Sequence, residues 1–273
     1  LSTEVSPFER HLYSINFKGK KKKKLTDTSG KHSITVSSAL NYFVDSYSTQ
    51  TKPGVTRLVN NKGESLKTLV DNATLEQRLS KLDIKAPEFF SFTTTEDIDL
   101  NGWMIKPTSF DPAKKYPVLM FVYGGPRSQE VLNEWGSFNY LWYQMLAQQG
   151  YIIACVDGRG TGARGRDFAT VTYGELGKYE TIDQIEAAKY LGDQAYIDAD
   201  RIGIWGWSYG GYMTALCMTK GNGIFKSGIS VAPVTNWRFF DKIYTERYLK
   251  TPRLNTSQSK SWNLWRVHAL SLV

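Results

Sequence analysis

The residues best placed to do chemistry lie in Gly206-Trp-Ser208-Tyr-Gly210-Gly211. A serine with glycine two residues to either side, after an apolar run and before a helical one, reads as a sharp strand-to-helix turn. Such a turn lifts the serine Oγ clear of the backbone and within reach of a base. Glycine is needed at both flanks because strand and helix close there to within a side chain's width. Acyl transfer through such a serine also needs fixed donors for the oxyanion that forms. The amide of Tyr209, directly after the serine, is one candidate. Upstream, the apolar run Val118-Leu-Met-Phe-Val-Tyr123 ends in Tyr123-Gly-Gly-Pro126; the Tyr123 hydroxyl or an amide of this loop is the other.

A serine hydroxyl is a weak nucleophile without a histidine that takes its proton and a carboxylate that orients the histidine. After Ser208 the sequence offers Asp241, Glu246 and His268 for these roles. Three scattered histidines and two separated cysteines have no metal-ligand spacing. With no phosphate-cradling glycine loop either, neither a metal nor a cofactor is expected.

The elements that must position the serine follow from periodicity. Residues 1 to 72 alternate short strand-like runs with turn signals: Glu9 to Phe17, Ser33 to Val36, Tyr42 to Ser48, Val55 to Asn60 and Leu66 to Val70. Strands at such short spacing belong to all-β structure, a sandwich or propeller blades. Leu75, Leu79 and Leu82 predict one face of a short connecting helix. Beyond Pro87 a hairpin (Phe89 to Thr94, Asp97 to Ile105) precedes the strand at Val118. Strands at Tyr151 to Val156, Arg201 to Trp207 and Lys226 to Ala232 then alternate with helices near Phe138 to Gln149, Tyr179 to Leu191 and Tyr209 to Thr219. Ile182, Ile185 and Ala188 are the expected buried stripe of the middle helix. This is an α/β pattern, a parallel sheet covered on both faces with its site at the strands' C-terminal ends.

Composition narrows the classes. Hydrophobic residues make up 41% and aromatics 14% of the 273 residues, enough for a core and against disorder. The net charge of +8 is concentrated in Lys18 and Lys20 to Lys24, a run expected at an exposed hairpin tip rather than on a nucleic-acid surface. Cys155 and Cys217 sit in apolar surroundings and read as buried thiols. No apolar run approaches the roughly 18 residues of a membrane helix.

Four segments occur in order: Val122-Tyr-Gly-Gly-Pro126, Asp157-Gly-Arg-Gly-Thr-Gly162, Gly206-Trp-Ser-Tyr-Gly-Gly211 and Tyr244-Thr-Glu-Arg-Tyr248. Together they resemble the dipeptidyl peptidase IV branch of the prolyl oligopeptidase family of serine peptidases, over roughly residues 5 to 249. The resemblance implies the last strands of a β-propeller at 1–72, a connecting segment at 73–87 and an α/β-hydrolase domain at 88–249, its parallel sheet lacking the C-terminal part. It implies Ser208 as nucleophile, Tyr123 as oxyanion tyrosine, and Tyr209, Val234, Trp237 and Tyr244 around a small apolar slot for proline. Phe240 stands where relatives usually carry tyrosine; on composition alone Trp237, Phe239 and Phe240 read as core aromatics. The Asp157 to Gly162 loop reads equally as a structural turn or a loop near the site.

The implied activity is removal of N-terminal dipeptides with proline or alanine second. Implied with it are peptide substrates, no nucleic acid, a homodimer for a full-length parent and a periplasmic or extracellular location. Residues 250–273 show no likeness to the family and read as an aberrant tail, with His268 incidental to it. Family members carry their Asp and His beyond this point, and an amine-clamping glutamate pair early in the propeller. The sequence is therefore expected to be a fragment with little turnover of its own. An acylaminoacyl peptidase or esterase of the same fold, and a non-catalytic interaction protein, remain the competing readings.

Overall fold

The computed structural model describes residues 1–136, 139–251 and 253–255. His268 lies outside them, as does most of the 250–273 stretch. The chain forms two compact units. One comprises Leu1–Pro87 with the segment from Val131 to Gln148, the other Glu88–Glu130 with the residues from Gln149 onward.

In the first unit β1 (Tyr13–Ser14) pairs antiparallel with β2 (Lys23–Lys24). The lysine run thus does sit on a hairpin. The run expected from Glu9 to Phe17 forms a ladder only at Tyr13–Ser14, flanked by single bridges at Arg10 and His11. From Ile15 onward the chain belongs to the tip. A four-stranded antiparallel meander follows, β3 (Lys31–Val36), β4 (Tyr42–Thr49), β5 (Lys52–Asn60) and β6 (Ser65–Val70), the form of one propeller blade. Phe43 and Tyr47 of β4 and Val55 and Val59 of β5 are buried, the two-residue alternation of a half-buried strand. Both histidines here are committed: His11 Nε2 lies 2.8 Å from the Glu9 carboxylate and His32 Nδ1 2.7 Å from that of Asp45. Helix α1 (Ala73–Leu79) buries only Leu79, while Leu75 and Leu82 are exposed. The three-leucine stripe is corrected accordingly: the helix stops at Leu79, so Leu82 leaves its face. Helix α2 (Tyr140–Gln148) packs in this unit, where the Gln144 amide donates to the Lys85 carbonyl at 2.7 Å.

The second unit is built on one six-stranded sheet. Its strands are β7 (Glu88–Thr93), β8 (Asp99–Ile105), β9 (Tyr116–Phe121), β10 (Ile152–Asp157), β11 (Ile197–Trp207) and β12 (Ser227–Val231), in spatial order β12-β11-β9-β10-β8-β7. The pairs β12/β11, β11/β9 and β9/β10 are parallel; β8 and β7 close the other edge antiparallel. Every residue of β10 is buried, as a central strand covered on both faces demands. Helices α3 (Arg166–Thr170), α4 (Tyr179–Gly192), α5 (Tyr209–Lys220) and α6 (Lys242–Leu249) complete the unit.

Helix α4 departs from the expected stripe. Ala188 is buried, but Ile182 and Ile185 are only partly so; Glu180, Asp183, Gln184, Ala187 and Leu191 fill the inner face with it. The reason is pairing: Gln184 donates to the Val156 carbonyl at 2.9 Å, Asp183 accepts from Arg159, and Glu180 accepts from Tyr209 beside the serine. No helix among the described residues is long and apolar enough to cross a membrane.

Candidate active site

Ser208 stands between the end of β11 and the start of α5 with φ 57° and ψ −115°, a conformation that costs an L-residue about 1–3 kcal/mol. The surroundings hold it there. The Ser208 amide donates to the Val231 carbonyl at 2.9 Å, and the Ser208 carbonyl accepts from the Tyr212 amide at 3.1 Å. A Cβ on Gly210 would overlap the Val122 carbonyl, and one on Gly206 would come within 2.5 Å of the Gly210 backbone. No larger residue fits at either position. Ser208 remains half-exposed. The amide of Tyr209 opens α5 and so has no acceptor within the helix.

Tyr123 follows β9 at the same end of the sheet. Its ring lies 6.3 Å from that of Tyr209, tilted by 49°, and folds back so closely that a Cβ on Gly125 would come within 2.7 Å of it. Burial, then the charges of Glu130 and Tyr248, push the phenol above its ordinary value. It therefore keeps its proton at neutral pH and can donate. The loop behind it is braced by the Asp157 to Gly162 segment. Arg127 N–H donates to the Gly160 carbonyl at 2.7 Å and Gly162 N–H to the Ser128 carbonyl at 2.8 Å. The Asp157 carboxylate accepts from the Glu130 amide at 3.0 Å. Arg159, beneath, grips Asp183 through Nε and Nη2 at 3.0 and 2.7 Å and reaches Glu96 at 2.7 Å. The loop is thus a structural brace that lies against the Tyr123 loop.

Beyond Tyr209 the aromatics gather around Trp237, which is 3% exposed. Its ring lies 6.0 Å from Tyr209, 5.7 Å from Phe240 and 6.0 Å from Tyr244, the last nearly parallel at 3°. Val234 is buried in the same core, whereas Phe239 points outward at 87% exposure. Phe239 is thus no core aromatic: it ends the short 3₁₀ turn Trp237–Phe239 on its solvent side, and Phe240, at 38% exposure just after that turn, is none either. Local caps set this wall. Asn236 Oδ1 accepts from the Arg238 amide at 3.0 Å, and Asp241 Oδ1 accepts from the Tyr244 amide at 2.7 Å. Asp241 is therefore the N-cap of α6, and this explains its presence without a catalytic role. Glu246 is exposed on α6.

One site residue escaped the reading of the sequence. Glu180 of α4 is 2% exposed; its Oε1 accepts from the Tyr209 hydroxyl at 2.7 Å and its Oε2 from the Gly177 amide at 3.0 Å. Burial raises its carboxyl to about 7, against the lowering effect of these hydrogen bonds. The available signal was polar: Glu180, Asp183 and Gln184 recur at spacings of three and four on one helical face. Among the described residues no group of three His, Cys, Asp or Glu could hold a metal ion.

Comparison with known proteins agrees with this geometry. The prolyl oligopeptidase family profile matches residues 137–268, and the dipeptidyl peptidase IV N-terminal region matches residues 1–54. The first match runs on to residue 268, so the expectation of a tail without family likeness from residue 250 is corrected over that stretch. Probable dipeptidyl-aminopeptidase B of Aspergillus niger is 42% identical over 262 residues, 93% of this chain and 28% of the relative. The Sclerotinia sclerotiorum protein of the same name is 39% identical over 277 residues, 99% of this chain and 30% of the relative. The crystal structure of Porphyromonas gingivalis dipeptidyl peptidase 4 superimposes with a TM-score of 0.91 at 46% identity, covering 95% of this chain and 37% of that one. A putative dipeptidyl aminopeptidase IV from Bacteroides ovatus gives 0.81 at 33% identity, covering 92% of this chain and 36% of that one. The chain thus spans about three tenths of the length of the curated relatives it matches. With an α/β-hydrolase sheet, a propeller-type meander and these relatives together, the chain belongs to the dipeptidyl peptidase IV branch of the prolyl oligopeptidase family of serine peptidases.

Proposed function

We propose that Ser208 is the nucleophile of a peptidase that releases N-terminal dipeptides carrying proline or alanine in the second position. The observation that carries this reading is the serine's strained turn at the C-terminal end of β11, in the same cluster as the Tyr123 phenol and the Tyr209 amide. Ser208 Oγ attacks the carbonyl of the second residue and gives its proton to a base. The oxyanion is received by the Tyr123 hydroxyl and the Tyr209 amide. Collapse expels the amine, which takes the proton, and leaves the dipeptidyl ester on Ser208; water then attacks the ester and frees the dipeptide. Loss of one oxyanion donor lowers such rates by about 10²–10³. Tyr209, Val234, Trp237, Phe240 and Tyr244 form an apolar wall suited to a pyrrolidine ring or a methyl group. Phe240 offers no hydroxyl for the substrate amine.

We place the propeller end at 1–72, the connecting segment at 73–87 and the catalytic domain at 88–249, of which 131–148 packs with the first compact unit. Among the described residues no histidine is free to act as the base. His11 and His32 are tied within the first unit, and His268 is the only histidine after Ser208. Little turnover is expected from this chain alone. A fluorophosphonate probe tests that point: slow labelling of Ser208, unchanged by His268→Ala, is expected, and rapid stoichiometric labelling would overturn it. Substrate class is tested on the polypeptide at the relatives' full length. Hydrolysis of Gly-Pro and Ala-Pro amides should exceed that of N-acylated peptides and short esters, and should vanish in Ser208→Ala. Preference for acylated peptides, or activity surviving Ser208→Ala, would refute the assignment.

A further inference from the structure

The hairpin between β1 and β2 serves no part of the peptidase reading, yet its composition is one-sided. From Ser14 to Lys24 every residue is exposed. Six of these are lysines, and Lys62 adds a seventh: its carbonyl accepts from Lys23 Nζ at 3.1 Å. Against them stand Glu4, paired with Lys22 at 2.6 Å, and Glu64, held by Asn60 at 2.7 Å.

Lysines alone would keep an edge soluble, but the tip also carries Phe17, exposed as fully as in an extended chain, and Ile15 at 56%. The turn is built to hold Phe17 out. Asn16 Oδ1 accepts from the amides of Lys18 and Lys20 at 3.1 and 2.7 Å, and Asn16 N–H donates to the Lys20 carbonyl at 3.0 Å. Gly19 takes the left-handed φ of 71° that closes the turn. An apolar apex ringed by cations matches the boundary between acyl chains and anionic headgroups, where aromatic rings are buried and lysine stems reach outward. Single-stranded nucleic acid instead needs several aromatics strung along a groove; this tip is short and has one.

We propose that the Asn16–Lys24 tip docks on an anionic lipid bilayer, Phe17 entering the headgroup–acyl boundary while the lysines meet the lipids' negative charge. The test is flotation of the full chain with vesicles of phosphatidylcholine containing about a third phosphatidylserine, chosen for a strong surface potential. Binding is expected to these vesicles, not to pure phosphatidylcholine, and to collapse at high salt. Replacing Lys20, Lys21, Lys22 and Lys23 with glutamine should weaken partitioning by at least a hundredfold, at about fivefold per lysine. Phe17→Ser should weaken it about tenfold or more. As a positive readout, Phe17→Cys offers one exposed thiol, because Cys155 and Cys217 are buried. An environment-sensitive dye attached there should brighten on anionic vesicles only. The proposal is overturned by absence of binding, by a dye that stays dim, or by variants that bind as the parent does. Equal binding to DNA, indifferent to Phe17→Ser, would mean a simple polyelectrolyte contact and would overturn it too.

Discussion

Glu180→Gln isolates the electrostatic cost hidden beneath the serine turn. In the folded protein this carboxyl is raised to about 7 by burial, from an ordinary value near 4.5. Between those pH values the folded state holds a proton that the unfolded state has released. Raising the pH therefore favours unfolding: the stability from the neutral carboxyl is complete below about pH 4.5 and drains away as pH rises through 7. At about 1.4 kcal/mol per pH unit, the whole span is worth on the order of 3 kcal/mol. Glutamine is the neutral isostere; its amide can donate to the Tyr209 oxygen while its carbonyl accepts from Gly177, so the partners are kept. Thermal melts of both proteins at half-unit steps from pH 5 to 8 read the effect. The variant should gain on the parent as pH rises, by roughly 5–10 °C over the range at 2–4 °C per kcal/mol. Parallel melting curves across this range would refute the buried, neutral-favouring environment assigned to Glu180.

Four further outcomes follow from the same packing. Ser208→Gly should stabilise the second unit by about 1–3 kcal/mol in denaturant melts, because glycine accepts the φ of 57° without strain. Gly210→Ala should cost about 3 kcal/mol or more, since its methyl meets the Val122 carbonyl; near-wild-type stability would show that the turn opens more easily than argued. Arg159→Ala strands the fully buried Asp183 carboxylate, and should cost about 3–5 kcal/mol at neutral pH. In the native protein Cys155 and Cys217 should resist a thiol-specific disulfide reagent until denaturant is added. Burial raises both thiols, that of Cys217 to about 12.

The serine turn was legible because its requirement is local. A backbone that passes within contact distance of itself admits only glycine, and that demand is written as Gly206 and Gly210 whatever the rest of the chain does. The same holds for β10, whose unbroken apolar run marks a central strand, and for the lysine hairpin, whose exposure follows from charge. Partnerships between distant residues were not legible. Periodicity on α4 pointed to Ile182 and Ile185, yet the inner face went to Glu180, Asp183 and Gln184, because each carries a hydrogen bond to a segment remote in sequence. Asp241 read as a spare acid until α6 formed behind it and claimed its carboxylate as a cap. Which carboxylate is bare and which is paired is decided by what the fold brings opposite it. Sequence alone determined that a serine would stand at a strained turn among glycines. Only the tertiary structure decided what lies under it, because desolvation and pairing depend on neighbours that chain order does not reveal.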